Sequence, residues 1–65
     1  MEIKVRSIKF SLRFRDGSHQ DVVKEVIGDD EMVKWVADQF AEVNECAVIA
    51  TEGENQVAIA GNIQD

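Results

Sequence analysis

The chain has few of the residues that build catalytic, metal or disulfide sites. Its 65 residues include one cysteine, one histidine and no tyrosine. A single cysteine cannot form an intramolecular disulfide, and one cysteine with one histidine cannot supply the ligands of a Cys/His zinc site. Small cores are usually supported by disulfides, metals or oligomerisation, so oligomerisation is the support left open.

The length sets a second limit. Sixty-five residues make one small domain, residues 1–65, and so small a domain buries a modest share of its surface. The apolar fraction of 45% is that of a globular protein. The chain shows no stretch of membrane-spanning length and no apolar signal core near its start. With one unpaired cysteine, these features predict a cytoplasmic protein without membrane contact.

The candidate catalytic residues lack the neighbours that catalysis needs. His19 could act as a general base, but its place just after a turn is typical of an exposed residue. Cys46 opens a strand and is expected to be buried as a small apolar side chain. The acids at 29–31 are typical of a helix cap, and the glycines form no phosphate-binding loop. We therefore expect no enzyme, no cofactor, no metal site and no small-molecule substrate.

Charge is divided unevenly along the chain. The net charge is −6. Residues 1–15 carry five basic residues against one acid, a net of +4, whereas residues 16–65 carry two against twelve, a net of −10. Such a division between segments points to an electrostatic role for one of them, within the fold or towards a partner.

The basic segment predicts a long strand over residues 2–15. Ile3 and Val5 occupy odd positions, and the next four apolar residues occupy even ones. Because strand side chains alternate between faces, a β-bulge near Arg6 would keep all six apolar residues on one face. The opposite face would then collect Lys4, Lys9, Arg13 and Arg15, with Arg6 close by.

The Asp-Gly pair that follows this strand predicts a hairpin, with a returning strand over 19–27. If paired residue numbers sum to 34, Asp21 lies opposite Arg13. The same sum places Glu25 opposite Lys9, and each such pair contributes roughly 0.2–1 kcal/mol. A sum of 32 also matches the faces but loses both pairs, so 34 is the preferred register.

The segment GDDEMVKWVADQFAEVNE, residues 28–45, predicts a helix that ends near Asn44. Asp29 or Asp30 can cap its start, and Asn44 is placed to take a left-handed conformation at its end. Trp35 lies at the margin of an apolar stripe at helical spacing. The stripe consists of Met32, Val33, Val36, Ala37, Phe40 and Val43.

The last twenty residues predict a second hairpin around a type II′ turn at Gly53-Glu54. Thr51 would then pair with Gln56, and Ala50 with Val57. One face would hold Val48, Ala50, Val57 and Ile59, and the other Ala47, Ile49, Ala58 and Ala60. Because the second face is apolar where a solvated face is usually polar, we expect a subunit or a partner to cover it.

These elements predict an α+β fold of order ββαββ, a four-stranded antiparallel sheet with one helix packed on one face. The leading functional hypothesis is a small non-catalytic protein-interaction module that self-associates or acts as a regulatory or accessory subunit. Its candidate interaction surface comprises Lys4, Arg6, Lys9, Arg13, Arg15, Trp35, Ala47, Ile49, Ala58 and Ala60.

Two alternatives use the charges. The basic N-terminal hairpin could bind nucleic acid, since lysine and arginine neutralise phosphates. A pI of about 4.6 and the absence of aromatic residues among the basic ones weigh against this alternative. In the weaker alternative the chain is an acidic inhibitor that competes with nucleic acid for a basic protein. The acids concerned are Asp29, Asp30, Glu31, Asp38, Glu42 and Glu45.

Overall fold

The computed structural model describes residues 4–61, which form four strands and one helix. They are β1 (Val5–Arg13), β2 (His19–Ile27), α1 (Asp30–Asn44), β3 (Ala47–Glu52) and β4 (Asn55–Ala60). The strands form one antiparallel sheet in the order β2-β1-β3-β4, and α1 packs on one face of it. The predicted ββαββ order and α+β class are confirmed. The predicted strand positions 2 and 3 and the last four residues lie outside the described residues.

The first hairpin pairs nine residues of β1 with nine of β2, and their numbers sum to 32. The preferred sum of 34 is therefore wrong, and the reason lies in the turn. Phe14 N–H donates to the Ser18 carbonyl at 2.9 Å, which leaves a three-residue loop ending on Gly17. Such loops end on a residue in the left-handed region, and Gly17 has φ 92°. A sum of 34 would put Ser18, which carries a Cβ, at that position.

The expected bulge near Arg6 does not form, because the β1–β2 pairing is continuous from Val5 onward. Without it the even positions of β1 face the helix and the odd positions face away. Val5 is therefore exposed, and Arg6 lies on the helix side of the sheet. Two carboxylates on that side pair with the Arg6 guanidinium, so its charge is compensated there.

The second hairpin turns at Gly53, whose φ of 62° fits the predicted type II′ turn, and Thr51 pairs with Gln56 as predicted. The register then shifts between Ala50 and Thr51, so Val57 is an extra residue in β4.

This bulge reverses the faces predicted for β4. Ala50 pairs with Ala58, and Val48 pairs with Ala60. Ala58 and Ala60 therefore point into the core, where they are 9% and 2% exposed, while Ile59 points away from the helix. Their placement on an exposed second face is wrong.

Helix α1 has a cap at each end. The Asp29 carboxylate accepts a hydrogen bond from Met32 N–H at 3.2 Å, as the N-cap prediction requires. The left-handed residue at the other end is Glu45, with φ 51°, one residue after the predicted Asn44. Asn44 instead donates its side-chain amide to the Phe40 carbonyl at 2.9 Å.

The helix lies off the centre of the sheet, over β4 and β3. Its buried residues are Val33, Ala37 and Ala41, and the strands below it present Ala50, Ala58 and Ala60. Small side chains let backbones approach closely. Larger residues fill the space above β1, where the Phe10 and Phe40 ring centroids lie 5.1 Å apart.

Candidate interaction surfaces

The reactive side chains are placed apart from one another. Cys46 is buried, and desolvation raises the pKa of its thiol, so the thiolate that acts as a nucleophile is disfavoured. His19 is exposed at the start of β2. Within residues 4–61 no group of three or more His, Cys, Asp or Glu residues is arranged to hold a metal ion. No helix in that range is long and apolar enough to cross a membrane.

The five basic residues predicted to lie together are divided among three places. Lys9 and Arg13 lie on the sheet face that points away from the helix, and Arg15 lies in the hairpin turn. Lys4 and Arg6 border a cleft at the start of α1. The predicted single basic face is therefore wrong, because it depended on the bulge that does not form.

Arg6 is held by two carboxylates from other elements. Its Nη1 lies 2.9 Å from Asp30 Oδ1 at the start of α1. Its Nη2 and Nε donate to the two carboxylate oxygens of Glu52 at 2.9 and 3.1 Å. This bidentate pair raises the pKa of Arg6 and lowers that of Glu52, in each case chiefly through the hydrogen bonds between them. Arg6 thus joins β1, β3 and α1 and is already engaged.

The remaining cations of β1 are freer. Lys9 Nζ lies 3.7 Å from Asp21 Oδ2, a diagonal neighbour across the hairpin, and both side chains are exposed. Arg13 lies opposite His19 and forms no ion pair with any residue between 4 and 61. An exposed pair such as Lys9–Asp21 contributes little to stability.

The outer sheet face, defined as the odd-numbered residues of β1, β2 and β3 together with Ile59, carries several exposed apolar side chains. Val5, Val23, Ile27 and Ile59 are 43–66% exposed, and Ile49, which pairs with Ile59, is half-buried. No helix or strand within residues 4–61 covers this face, since α1 occupies the other one, although Ala47 at its end is buried. Its charged residues are two bases, Lys9 and Arg13, and two acids, Asp21 and Glu25.

The helix groove is a second apolar surface, between α1 and the inner side of β2. It has a volume of about 310 Å³ and is lined by Lys24, Trp35, Val36, Gln39, Phe40, Val43 and Asn44. Trp35 is 59% exposed and Val43 is 79% exposed. The Lys24 ammonium lies 5.5 Å from the centroid of the Phe40 ring, within cation–π range.

The side of α1 that continues from Trp35 away from the groove is acidic. The helix and its two caps carry six acids, Asp29, Asp30, Glu31, Asp38, Glu42 and Glu45, against one base, Lys34, a net charge of −5. Lys34 pairs with Asp38 at 2.6 Å. Most of the acidity of the described chain is therefore concentrated on the helix and not on the outer sheet face.

Sequence reasoning found part of these surfaces. Trp35 and Ile49 lie on them, whereas Ala47, Ala58 and Ala60 are buried and are not accessible to a partner. Val5, Val23, Ile27 and Ile59 were missed. A usable signal existed for β2, where Val23 and Ile27 share parity with Asp21 and Glu25, which are expected to face solvent.

Comparison of the chain with models of known protein families, with curated proteins and with solved structures finds no match. The outer sheet face and the helix groove are therefore the features from which a function can be inferred.

Proposed function

We propose that this chain is a small non-catalytic interaction module that self-associates through its outer sheet face, as a homo-oligomer or as an accessory subunit of a larger assembly. The observation that carries the proposal is the group of large apolar side chains, Val5, Val23, Ile27 and Ile59, on a face that no described element covers. Exposed apolar groups of this kind mark interaction sites, and a second copy would add the buried surface that so small a core lacks.

The size of the face predicts the strength of the association. Strands of six to nine residues at about 3.3 Å per residue, spaced about 4.8 Å apart, give a face of roughly 500 Å² in projection. A standard stable interface buries about 800 Å² on each partner. We therefore expect a weak, concentration-dependent dimer.

Charge favours this face over the helix for contact with a second copy. The outer sheet face carries two bases and two acids, so two copies meet there without net repulsion. Contact through α1 would bring two helices of net charge −5 together. Like charges across an interface disfavour association. The apolar groups and the charge balance thus select the same face.

Sedimentation velocity from about 10 to 500 μM, the range of a weak complex, tests the proposal. Val23→Lys places a charge on the outer sheet face, and Val43→Lys is its matched control on the helix, because both valines are highly exposed. We expect the wild type to associate and Val23→Lys to raise the dissociation constant at least about tenfold. Val43→Lys should associate like the wild type.

Two results would contradict the proposal. One is a wild type that sediments as a monomer over the whole range. The other is an equal loss of association in both variants, because a general effect of added charge would not distinguish the faces. Circular dichroism of each variant shows whether the fold is intact.

Nucleic-acid binding is the second candidate, now limited to Lys9, Arg13 and Arg15. Arg13 has no ion pair within residues 4–61 and lies next to the turn that carries Arg15. A titration against duplex and single-stranded DNA at low salt, where phosphate contacts are strongest, tests it. Binding that is lost in Arg13→Gln would support this candidate, and no binding by the wild type would reject it.

A cytoplasmic location likewise stays a prediction.

A further inference from the structure

The helix groove and the acidic side of α1 lie next to each other on one helix. Trp35 is followed three residues later by Asp38 and preceded four residues earlier by Glu31, so both acids neighbour it on the helix surface. We propose that this combined surface binds an amphipathic helical segment of another protein, with apolar anchors on one face and lysine or arginine along its flank. This binding site lies on a different face from the proposed self-association, so each can be tested without the other.

The dimensions of the groove fit a helical occupant. The helical residues that line the groove run from Trp35 to Asn44, nine steps of about 1.5 Å or roughly 14 Å, which is two and a half turns. A partner helix lying along it would present anchors at i, i+3 or i+4, and i+7. The volume of about 310 Å³ is at the lower limit for pockets that hold compact ligands, so it accommodates a few side chains and not a whole domain.

Three possible occupants differ in charge. A second copy that docked through its own α1 would present a helix of net charge −5, and nucleic acid would present phosphates, so both are repelled. A cationic helix is attracted. Glu31 and Glu42 form no ion pair with any other described residue and can accept its lysines or arginines. Glu45 lies farther off, in a cleft that Arg13 and Arg15 also border.

Trp35 adds a specific contact for such a partner. Tryptophan is the best aromatic acceptor of a cation, and an exposed Trp35 can take an arginine or lysine over its ring. Lys24 lies on the far rim, where its ammonium rests near Phe40, and is the one cation among the residues that line the groove. The surface therefore combines an apolar row with an anionic border.

A synthetic peptide tests the inference. It has about 14 residues, four helical turns, with leucines at helical spacing and lysines elsewhere. A matched peptide replaces each lysine by glutamate. Trp35 is the only tryptophan, so its emission reports on the groove directly. Protein is kept below the concentration at which it self-associates.

We expect the lysine peptide to shift Trp35 emission to the blue in a saturable way, more weakly as salt increases, and the glutamate peptide to have no effect. Val43→Lys, which removes an apolar contact and adds like charge, should weaken binding at least about tenfold. Glu31→Gln/Glu42→Gln should weaken it and reduce its salt dependence. Val23→Lys, on the outer sheet face, should bind like the wild type.

The inference is overturned if neither peptide changes Trp35 emission, if both bind equally, or if Val23→Lys weakens binding as much as Val43→Lys. It is also overturned if Val43→Lys abolishes self-association in sedimentation, because the groove would then be the site of a second copy. A monomeric wild type that binds the lysine peptide would reject the proposed self-association and leave this inference supported.

Discussion

The two hairpins of this chain are alike in topology and different in the size of their residues. The first is long and regular, and its inner face presents the large side chains Ile8, Phe10 and Leu12. The second is short and bulged, and its inner face is largely alanine. The helix lies close to the second hairpin, and aromatic rings fill the wider space above the first.

The difference explains why the helix groove exists. A helix that packs closely on β3 and β4 leaves the edge strand β2 uncovered on its inner side, where Lys24 and Val22 remain accessible. The groove is thus a consequence of side-chain volume in the other half of the sheet. Substitutions that alter packing in the first or the second hairpin test whether the two differ in this way.

The largest loss of stability is expected from Phe10→Ala, in the first hairpin, where aromatic rings fill the space below the helix. Phe10 is fully buried and contacts Phe40, and removing such a side chain costs about 3–5 kcal/mol. This loss is comparable to the whole stability expected of so small a domain, so the variant should be largely unfolded at room temperature. Circular dichroism with urea titration measures it.

Trp35→Ala is the matched control, since Trp35 is an aromatic residue of which more than half is exposed. We expect it to cost less than about 1 kcal/mol. If Trp35→Ala destabilised the chain as much as Phe10→Ala, the groove would be part of the core and not an open surface.

The next largest loss of stability is expected at the second hairpin, where the helix packs closely on β3 and β4. Gly61 follows β4 with φ 78°, and a Cβ there would lie 2.5 Å from the Cys46 carbonyl oxygen and 3.2 Å from the Ala41 Cβ. Gly61→Ala therefore combines backbone strain of about 1–3 kcal/mol with a clash against backbone. Thermal unfolding should show a clear loss of stability.

Gly17→Ala separates the two contributions. Gly17 also has positive φ, at 92°, but a Cβ there would meet nothing within 4 Å. It should cost only the conformational part, the backbone strain of about 1–3 kcal/mol that both variants share. Equal losses of stability in the two variants would mean that close packing at the second hairpin contributes nothing, so the two hairpins would not differ in how tightly they pack.

Much of the fold follows from the sequence, because period-two and helical spacing are local properties. The strand 19–27 was predicted where the structure has it, and the helix cap, Asp29, is one of the two residues predicted for it. Faces were harder to predict, because a one-residue displacement moves every side chain to the other side of a sheet. In β4 the run VAIA is apolar at every position, so its pattern fits either face and does not reveal the bulge at Val57.

The candidate surfaces were predicted less well, for two physical reasons. Turn chemistry at Gly17 outweighed the cross-strand charges that favoured the other register, and this changed the partners of Lys9 and Arg13. The position of the helix depends on the volumes of alanines on β3 and β4, which is a tertiary property. The groove at Trp35 therefore could not be predicted from the helix alone.

The smallest effect concerns the link between the two hairpins, where Arg6 of β1 holds Glu52 of β3. Hydrogen bonds from Arg6 lower the pKa of Glu52 in the folded chain below its ordinary value in the unfolded chain. A group with a lowered folded pKa stabilises the fold above the unfolded pKa, and this contribution disappears as the pH falls through the folded value. Glu52→Gln should therefore be less stable than the wild type near neutral pH, and the two should converge in acid.

Urea midpoints measured from about pH 7 down to about pH 2 reveal this convergence. Asp16→Asn is the control, because the pKa of Asp16 is lowered by hydrogen bonds from Ser18 within the first turn, with no contact between hairpins. Each substitution is then repeated in a chain that also carries Arg6→Met. In that background Glu52→Gln should no longer lower the stability near neutral pH, whereas Asp16→Asn should lower it as much as before, because only Glu52 acts through Arg6. A stability difference for Glu52→Gln that stays constant across the pH range would mean that the carboxylate charge is not what joins the two halves of the sheet.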